Sequence, residues 1–324
     1  MQKYIKYTEY SIISPIVFSM NGLSAFLCVQ IFRYFALCFK KTMKLYTTIT
    51  ELQNALKEER SKGLKVGFIP TMGALHEGHL SLVQKAGGMC DVVVVSIFVN
   101  PTQFNDKNDL ANYPRTLESD MHLLSTVKCD YIFSPSVEEV YPVPDTRKFE
   151  FGNLETVMEG AFRPGHFNGV AQVVSRLFEI VSPDMAFFGR KDFQQMTIIK
   201  EMVRQLNYPI EIVGCEIVRE KDGLAMSSRN RLLLPEYRNC VPIIYQTLKE
   251  AKDLSQNKSV SEVKEYVVSR INKTQLLRVE YFEIVDDVHL MPIGNWSETG
   301  TKVGCIAVYA GKIRLIDNIV FDIN

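Results

Sequence analysis

The sequence predicts an α/β protein: a doubly wound parallel sheet followed by a smaller α+β domain at the carboxyl end. Three observations carry this. Short apolar runs alternate with amphipathic helical stretches from residue 43 to residue 214, the pattern of strands joined by helical crossovers. The run 92–98 is apolar or β-branched at nearly every position, as a strand covered on both faces requires. Beyond Val218 the alternation stops: two helical stretches come in succession, and the strands after them follow one another directly.

The elements follow in order. Leu52, Leu56 and Arg60 fall at helical spacing over 50–60, with Thr50 placed to cap. Residues 65–69 read as a strand ending at Pro70, and 79–86 as a helix stopped by Gly87 and Gly88. After the strand 92–98 come a helix over 116–127, a strand over 131–133, a helix over 168–181 and a strand over 185–188. A helix over 193–206 and a strand over 210–214 complete the first part. Asp222-Gly223 is a strong turn signal. Residues 235–254 and 259–272 then read as two amphipathic helices, and 279–285, 302–310 and 312–316 as antiparallel strands, the last two joined by a tight turn at Gly311.

The chain has 324 residues, 46% hydrophobic and 23% charged, enough to bury a substantial core. Lys plus Arg balances Asp plus Glu at 37 each, so no broad basic surface marks a nucleic-acid binder. The seven cysteines contain no C-x-x-C pair. That fits a reduced, cytoplasmic protein better than a disulfide framework or a zinc site. Residues 1–42 stand apart, because 12–39 is mostly apolar, broken by Pro15, Asn21, Gln30 and Arg33. Three readings are open: a membrane anchor that carries Arg33 at a cost, a signal peptide without a clear cleavage site, or translated sequence upstream of a start at Met43. The expected organisation is this extension, a nucleotide-binding domain over 43–218, and a lid with an α+β domain over 219–324.

The sharpest chemical signal is PTMGALHEGH at 70–79, directly after the first expected strand and opening a helix. His76 and His79, three apart at a helix start, project to one side. The unpaired N–H groups and dipole there make an anion site, and imidazoles can donate to phosphate oxygens as they gain charge. The spacing is not H-E-x-x-H and no third zinc ligand stands out; a P-loop signature is also absent. SIFVNPTQF at 96–104 follows the second strand, and its Gln103 offers donors and an acceptor to a hydroxylated acid. Asp109 is placed to hold Mg²⁺ through water, or to serve as a solvated side chain or helix cap. FRPGHFNGV at 162–170 carries a guanidinium and an imidazole. In FGRKDFQQ at 188–195, Lys191 is a charge clamp and Gln195 a second reader of hydroxyls. AMSSRN at 225–230 suits a loop closing over phosphates.

H-x-G-H after the first strand resembles the nucleotidyltransferase superfamily. With YPRT, GLAMSSRN and the terminal IRLIDN, the seven motifs in order resemble the pantothenate synthetase family over everything from Met43 onward. The resemblance implies a Rossmann-like first domain, a carboxy-terminal lid, a homodimer, and ATP and Mg²⁺ at the site. It also implies condensation of pantoate with β-alanine through an enzyme-bound pantoyl adenylate. By position, ATP is expected against Met72, Gly73, Ala74, Leu75, His76, Glu77, Gly78 and His79, then Gly189, Arg190, Lys191 and Asp192. Val218, Met226, Ser227, Ser228 and Arg229 would complete the nucleotide site. His79 is the expected proton donor, with His76, Lys191 and Arg229 neutralising charge; Gln103 and Gln195 are expected to bind pantoate, and Gln103 to lie near β-alanine. Arg190 stands where the family pattern has Glu, and Thr102 where it is usually apolar. Competing readings are a nucleotidyltransferase that leaves the nucleotide on its product, a tRNA synthetase, and a non-catalytic, membrane-tethered member of the fold.

Overall fold

Nearly every strand has a β-branched or aromatic interior, and the strands fall into two sheets. The structure, a computed structural model, describes residues 43–104 and 107–322; the apolar segment 12–39 and its three readings lie outside the described residues. The larger sheet holds β1 (Lys44–Tyr46), β2 (Val66–Thr71), β3 (Val92–Ile97), β4 (Tyr131–Phe133), β5 (Met185–Gly189) and β6 (Glu211–Cys215). Their spatial order is β1-β4-β3-β2-β5-β6, parallel at every pairing. The smaller sheet is an antiparallel meander of β7 (Leu277–Asp286), β8 (Lys302–Ala310) and β9 (Ile313–Phe321), with Gly311 at φ 60° in its last turn. The doubly wound sheet and the α+β carboxyl portion are those expected from the sequence.

The helices of eight or more residues are α1 (Ile49–Ser61), α2 (Glu77–Met89), α3 (Leu117–Leu124), α4 (His166–Val181), α5 (Phe193–Gln205), α6 (Ile243–Leu254) and α7 (Val260–Asn272). α4 is the most buried of them. Val170, Val174, Leu177, Phe178 and Val181 face the sheet, and Phe178 meets Phe68 of β2 edge to face at 6.3 Å. α6 and α7 cover the small sheet through Leu248, Ala251, Val263, Val267 and Ile271. The two sheets also share apolar packing, because Val285, Leu290, Val303 and Cys305 belong to the core cluster of the larger sheet.

Several boundaries differ from the sequence expectation, each for a local reason. Thr48, not Thr50, caps α1, accepting from the Glu51 N–H at 3.4 Å. Pro70 lies inside β2 opposite Ser96. It falls past Phe68, the last β2 residue paired with β5, so its missing N–H breaks no bond on that side. Gly87 and Gly88 do not stop α2, whose buried face of Leu80, Val83 and Ala86 carries it on to Met89. The expected helix 235–254 is two, Pro235–Cys240 and α6, divided at Pro242, which has no N–H to continue the ladder. β1, three residues long, is too short to show a period.

The sheet order sets the place of the site. β2 and β5 are neighbours, yet they pair only from Gly67 to Phe68 and from Met185 to Ala186. Their carboxyl ends therefore separate where the connections run to opposite sides, the switch point at which such sheets bind ligands.

Two glycines test the packing. A Cβ on Gly88 would meet nothing within 4 Å, whereas one on Gly169 would lie 2.5 Å from the Thr102 carbonyl oxygen. Gly88→Ala is expected to stabilise by about 0.4–1 kcal/mol, as Gly→Ala does at a compatible site. Gly169→Ala is expected to destabilise by about 1–3 kcal/mol through overpacking. Urea unfolding of both variants checks the pair, and equal effects would contradict this packing.

Candidate active site

The loop between β2 and α2 is held from behind. Gly73 and Ala74 take left-handed conformations, φ 82° and 51°. The N–H groups of Ala74 and Leu75 turn onto Asp120, at 3.0 and 2.8 Å. Asp120 is 1% exposed, so its carboxylate works as a buried strut. The Thr71 hydroxyl donates to the Ser96 carbonyl at 2.6 Å and accepts from the Gly73 N–H at 3.2 Å. The next residues are thereby delivered to the cleft at a fixed angle.

His76 caps α2, its Nδ1 accepting from the Gly78 N–H at 3.1 Å. The His76 N–H donates in turn to His79 Nδ1 at 3.3 Å. Each Nδ1 is thus an acceptor, so each ring carries its proton on Nε2. The rings lie 4.1 Å apart and both line the cavity. Burial chiefly, with Lys191 and Arg231 beside it, lowers His76 to about 4. Burial, then His76 and Lys191, lowers His79 to about 3. At neutral pH the loop therefore offers two uncharged N–H donors at the positive end of a helix.

That cavity measures about 250 Å³ and lies at the separated ends of β2 and β5. Met72, His76, Gly78 and His79 form one wall, while Gly189 ends β5 and Lys191 and Asp192 follow it. Val218, Met226, Ser227, Ser228 and Arg229 close a third side. Gly73, Ala74 and Leu75 turn away toward Asp120, and Glu77 is exposed outside the wall. Arg190 also lies outside it, its guanidinium reaching Glu216 at 3.0 Å. The cavity wall is thus assembled from the ends of β2, β3, β5 and β6, and of the first loop it takes Met72, His76, Gly78 and His79. The Met226 N–H donates to the Val218 carbonyl at 3.0 Å, so the chain returns on itself between these two wall positions.

A second cavity of about 610 Å³ shares Met72, Gln103, Lys191, Gln195, Ser227 and Arg229 with the first. Gln103 sits on the short turn Pro101–Gln103, capped by Asn100. Asn100, 1% exposed, donates to Gln103 Oε1 at 3.3 Å and to the Gly169 carbonyl at 3.3 Å. Thr102 directs its hydroxyl to Asn100 and lines neither cavity. His166 donates from Nδ1 to the Gln103 carbonyl at 3.0 Å, leaving Nε2 as an acceptor in the second cavity. Burial, with Arg163 nearby, lowers His166 to about 4. Gln194 ties the preceding loop to α5, donating to the Leu154 and Val157 carbonyls at 2.8 Å each. Asp120, Asn100 and Gln194 were given no role by the sequence motifs.

Comparison with known proteins places this geometry. The family model for pantoate-beta-alanine ligase matches residues 44–320. The chain belongs to the pantoate–β-alanine ligase family. A pantothenate synthetase of Bacteroides fragilis is 56% identical over 279 residues, covering 86% of this chain and 99% of the relative. One from Porphyromonas gingivalis is 51% identical over 280 residues, with 86% and 100% covered. The solved pantothenate synthetase of Thermus thermophilus superposes with a TM-score of 0.80 at 43% identity, covering 86% of this chain and 99% of that one. A Francisella tularensis pantoate-beta-alanine ligase, solved with beta-gamma ATP and β-alanine, gives 0.71 at 34% identity, with 87% and 99% covered. The family accounts for the observed fold, and its members are ligases.

Three neutral histidines make stability depend on pH with a definite sign. His76, His79 and His166 lie below the ordinary 6.5, so the unfolded chain binds more protons between about pH 4 and 6.5. Their contribution is complete above about pH 6.5 and is lost as pH falls toward 4. Each fully shifted group adds a slope of about 1.4 kcal/mol per pH unit inside its window. Urea unfolding at pH 7 and pH 5 should show a marked loss at the lower pH, reduced in His79→Gln; equal stability at both would contradict the neutral rings.

Proposed function

We propose that the smaller cavity takes the nucleotide and the larger one the acid with its amine acceptor, and that the motif residues divide the work between them. The chain is a ligase that condenses pantoate with β-alanine, using ATP and passing through a pantoyl adenylate. The observation that carries the site assignment is the shared wall: Gln103, Gln195 and Lys191 face both cavities. An acid held there has its carboxylate toward the α-phosphate on one side and toward an incoming amine on the other.

The chemistry follows from that placement. A carboxylate resists nucleophiles because of its charge. Its oxygen attacks the α-phosphorus, the bond to the bridging oxygen breaks, and diphosphate leaves. The amine then attacks the acyl carbon of the mixed anhydride, and AMP leaves with the former carboxylate oxygen. In this reading Nε2–H of His76 and of His79 donate to phosphate oxygens as their charge grows. His79 thus contributes as a neutral donor, since an imidazolium is disfavoured there. Lys191 and Arg229 supply positive charge. Gln103 and Gln195 are neutral and exchange paired hydrogen bonds with pantoate, Gln103 reaching β-alanine as well. Alignment of the reactants and exclusion of water from the anhydride complete the catalysis.

The proposal includes Mg²⁺, a cytoplasmic setting and a homodimer. Among the described residues no three His, Cys, Asp or Glu side chains converge as a metal site. A magnesium ion held mainly by phosphates and water needs only one or two carboxylates, and Asp192 on both cavity walls fits that need. Asp109 lies on the short helix Lys107–Asn112, its side chain outside the described residues. Bound Mg²⁺ would spread the charge of the triphosphate. Free thiols at Cys90, Cys129, Cys215, Cys240 and Cys305 favour a reducing compartment. No helix among the described residues is long and apolar enough to cross a membrane. The family resemblance supports the dimer. We assign 43–218 to ATP and pantoate binding and 219–324 to closing the nucleotide side.

Two outcomes check the roles. His79→Ala should slow single-turnover formation of pantoyl adenylate about a hundredfold, the scale of losing one oxyanion donor; an unchanged rate would remove His79 from the reaction. Gln103→Ala and Gln195→Ala should each lower pantoate efficiency roughly ten- to a hundredfold, from about 1–3 kcal/mol for an unpaired buried partner. ATP affinity by isothermal titration should barely move in either. Loss of ATP affinity with pantoate use intact would reverse the two subsites.

A further inference from the structure

Two adjacent residues of β9 hold opposite walls of the nucleotide cavity without lining it. β9 is an edge strand of the small sheet, and its Asp317 and Asn318 are 5% and 6% exposed. The Asn318 amide donates from Nδ2 to the carbonyls of Arg190 at 2.8 Å and Lys191 at 3.0 Å. Those carbonyls belong to the short turn Arg190–Asp192 between β5 and α5. The N-cap of that turn is Gly189, which has no side chain to cap it, and Asp192 makes no capping bond to α5. The turn that carries Lys191 is therefore fastened from a strand more than a hundred residues away, at a sequence separation of 128.

Asp317 works on the other wall. It accepts from Nη1 and Nη2 of Arg219 at 2.6 and 2.9 Å, and from the Asn318 N–H at 2.8 Å. The Arg219 guanidinium also lies 3.5 Å from the centre of the Tyr245 ring and donates to the Gly223 carbonyl. Arg219 follows Val218 and opens the hairpin that returns at Met226 and leads into Ser227, Ser228 and Arg229. One dipeptide thus touches the base of both the Lys191 turn and the arm that carries Arg229.

We propose that Asp317 and Asn318 set the separation of these two walls, and that Asn318 is a positioning residue for Lys191 during adenylation. A planar amide with two hydrogens spans two successive carbonyls; a carboxylate or an apolar side chain of the same size cannot. Without it, two carbonyls lose this donor and the turn is released to rotate the lysine away from the phosphates. The inference rests on reading Lys191 as a phosphate clamp, so the test examines that reading separately.

Pantoyl adenylate formation is measured in single turnover for the unaltered chain, Lys191→Ala, Asn318→Ala and the double variant, with thermal unfolding alongside. Asn318→Ala is expected to be about ten- to a hundredfold slower, the scale of an unsatisfied buried partner. If it acts through the lysine, the double variant will match Lys191→Ala within about threefold, because residues acting as a unit are non-additive. Multiplying effects in the double variant, or an unchanged rate in Asn318→Ala beside a slow Lys191→Ala, would overturn the positioning role alone. An unchanged rate in Lys191→Ala would overturn the clamp reading beneath it. Should Asn318→Ala fail to fold, Asn318→Ser, which keeps one donor, carries the same cycle with the same outcomes.

Discussion

Two backbone N–H groups at the start of α2, each donated to an imidazole nitrogen, govern the nucleotide end of this cleft. A helix leaves its first N–H groups without intrahelical partners. Here Gly78 gives its own to His76 Nδ1, and His76 gives its own to His79 Nδ1. Both nitrogens must then be unprotonated, and both rings must present Nε2–H. An imidazolium carries hydrogen on both nitrogens and would break the chain of donors. Burial and the neighbouring Lys191 disfavour the charged ring for a separate reason. Hydrogen bonding and electrostatics therefore select the same state.

That arrangement is useful only because the surrounding fold aims it. β2 and β5 separate after Phe68 and Ala186, which opens room for a ligand at the switch point. Asp120 takes the two N–H groups of Ala74 and Leu75 that would otherwise compete for an anion. Gly169 lets α4 approach the Thr102 carbonyl closely enough for Asn100 to brace Gln103. The small sheet contributes more than cover, since Arg314 of β9 pairs with Glu159 at 2.6 and 2.8 Å and with Glu280 at 2.6 Å. Tyr281 adds a bond to Glu159 at 2.8 Å. These half-buried charges join β7 and β9 to the short helix Glu159–Phe162, which leads into Arg163 and His166.

The fold was legible because its signals are local. Alternating apolar runs and helical stretches reveal strands and crossovers, and 92–98 shows by composition alone that it is covered on both faces. The motifs were legible because they sit at strand ends, where ligands bind. What escaped was long-range. Asp120 meets its partners 45 and 46 residues away, and Gln194 its own 37 and 40 away. No periodicity encodes such contacts, and a buried Asp on an amphipathic helix looks like a solvated one. The first loop shows the converse: PTMGALHEGH reads as one ligand-facing run, yet its left-handed residues Gly73 and Ala74 divide it into a facing part and a braced part. The histidine tautomers were equally hidden, since they depend on which backbone N–H reaches which ring nitrogen.

The central claim is that His76 and His79 are neutral Nε2–H donors in the folded protein. Nitrogen-15 NMR of histidine-labelled protein tests it most directly, with the two signals assigned through His76→Gln and His79→Gln. The account predicts that at pH 7 both rings have a protonated Nε2 and an unprotonated Nδ1, and that neither takes up a proton above about pH 5. Titration of either ring near 6.5, or a proton found on Nδ1, would contradict it.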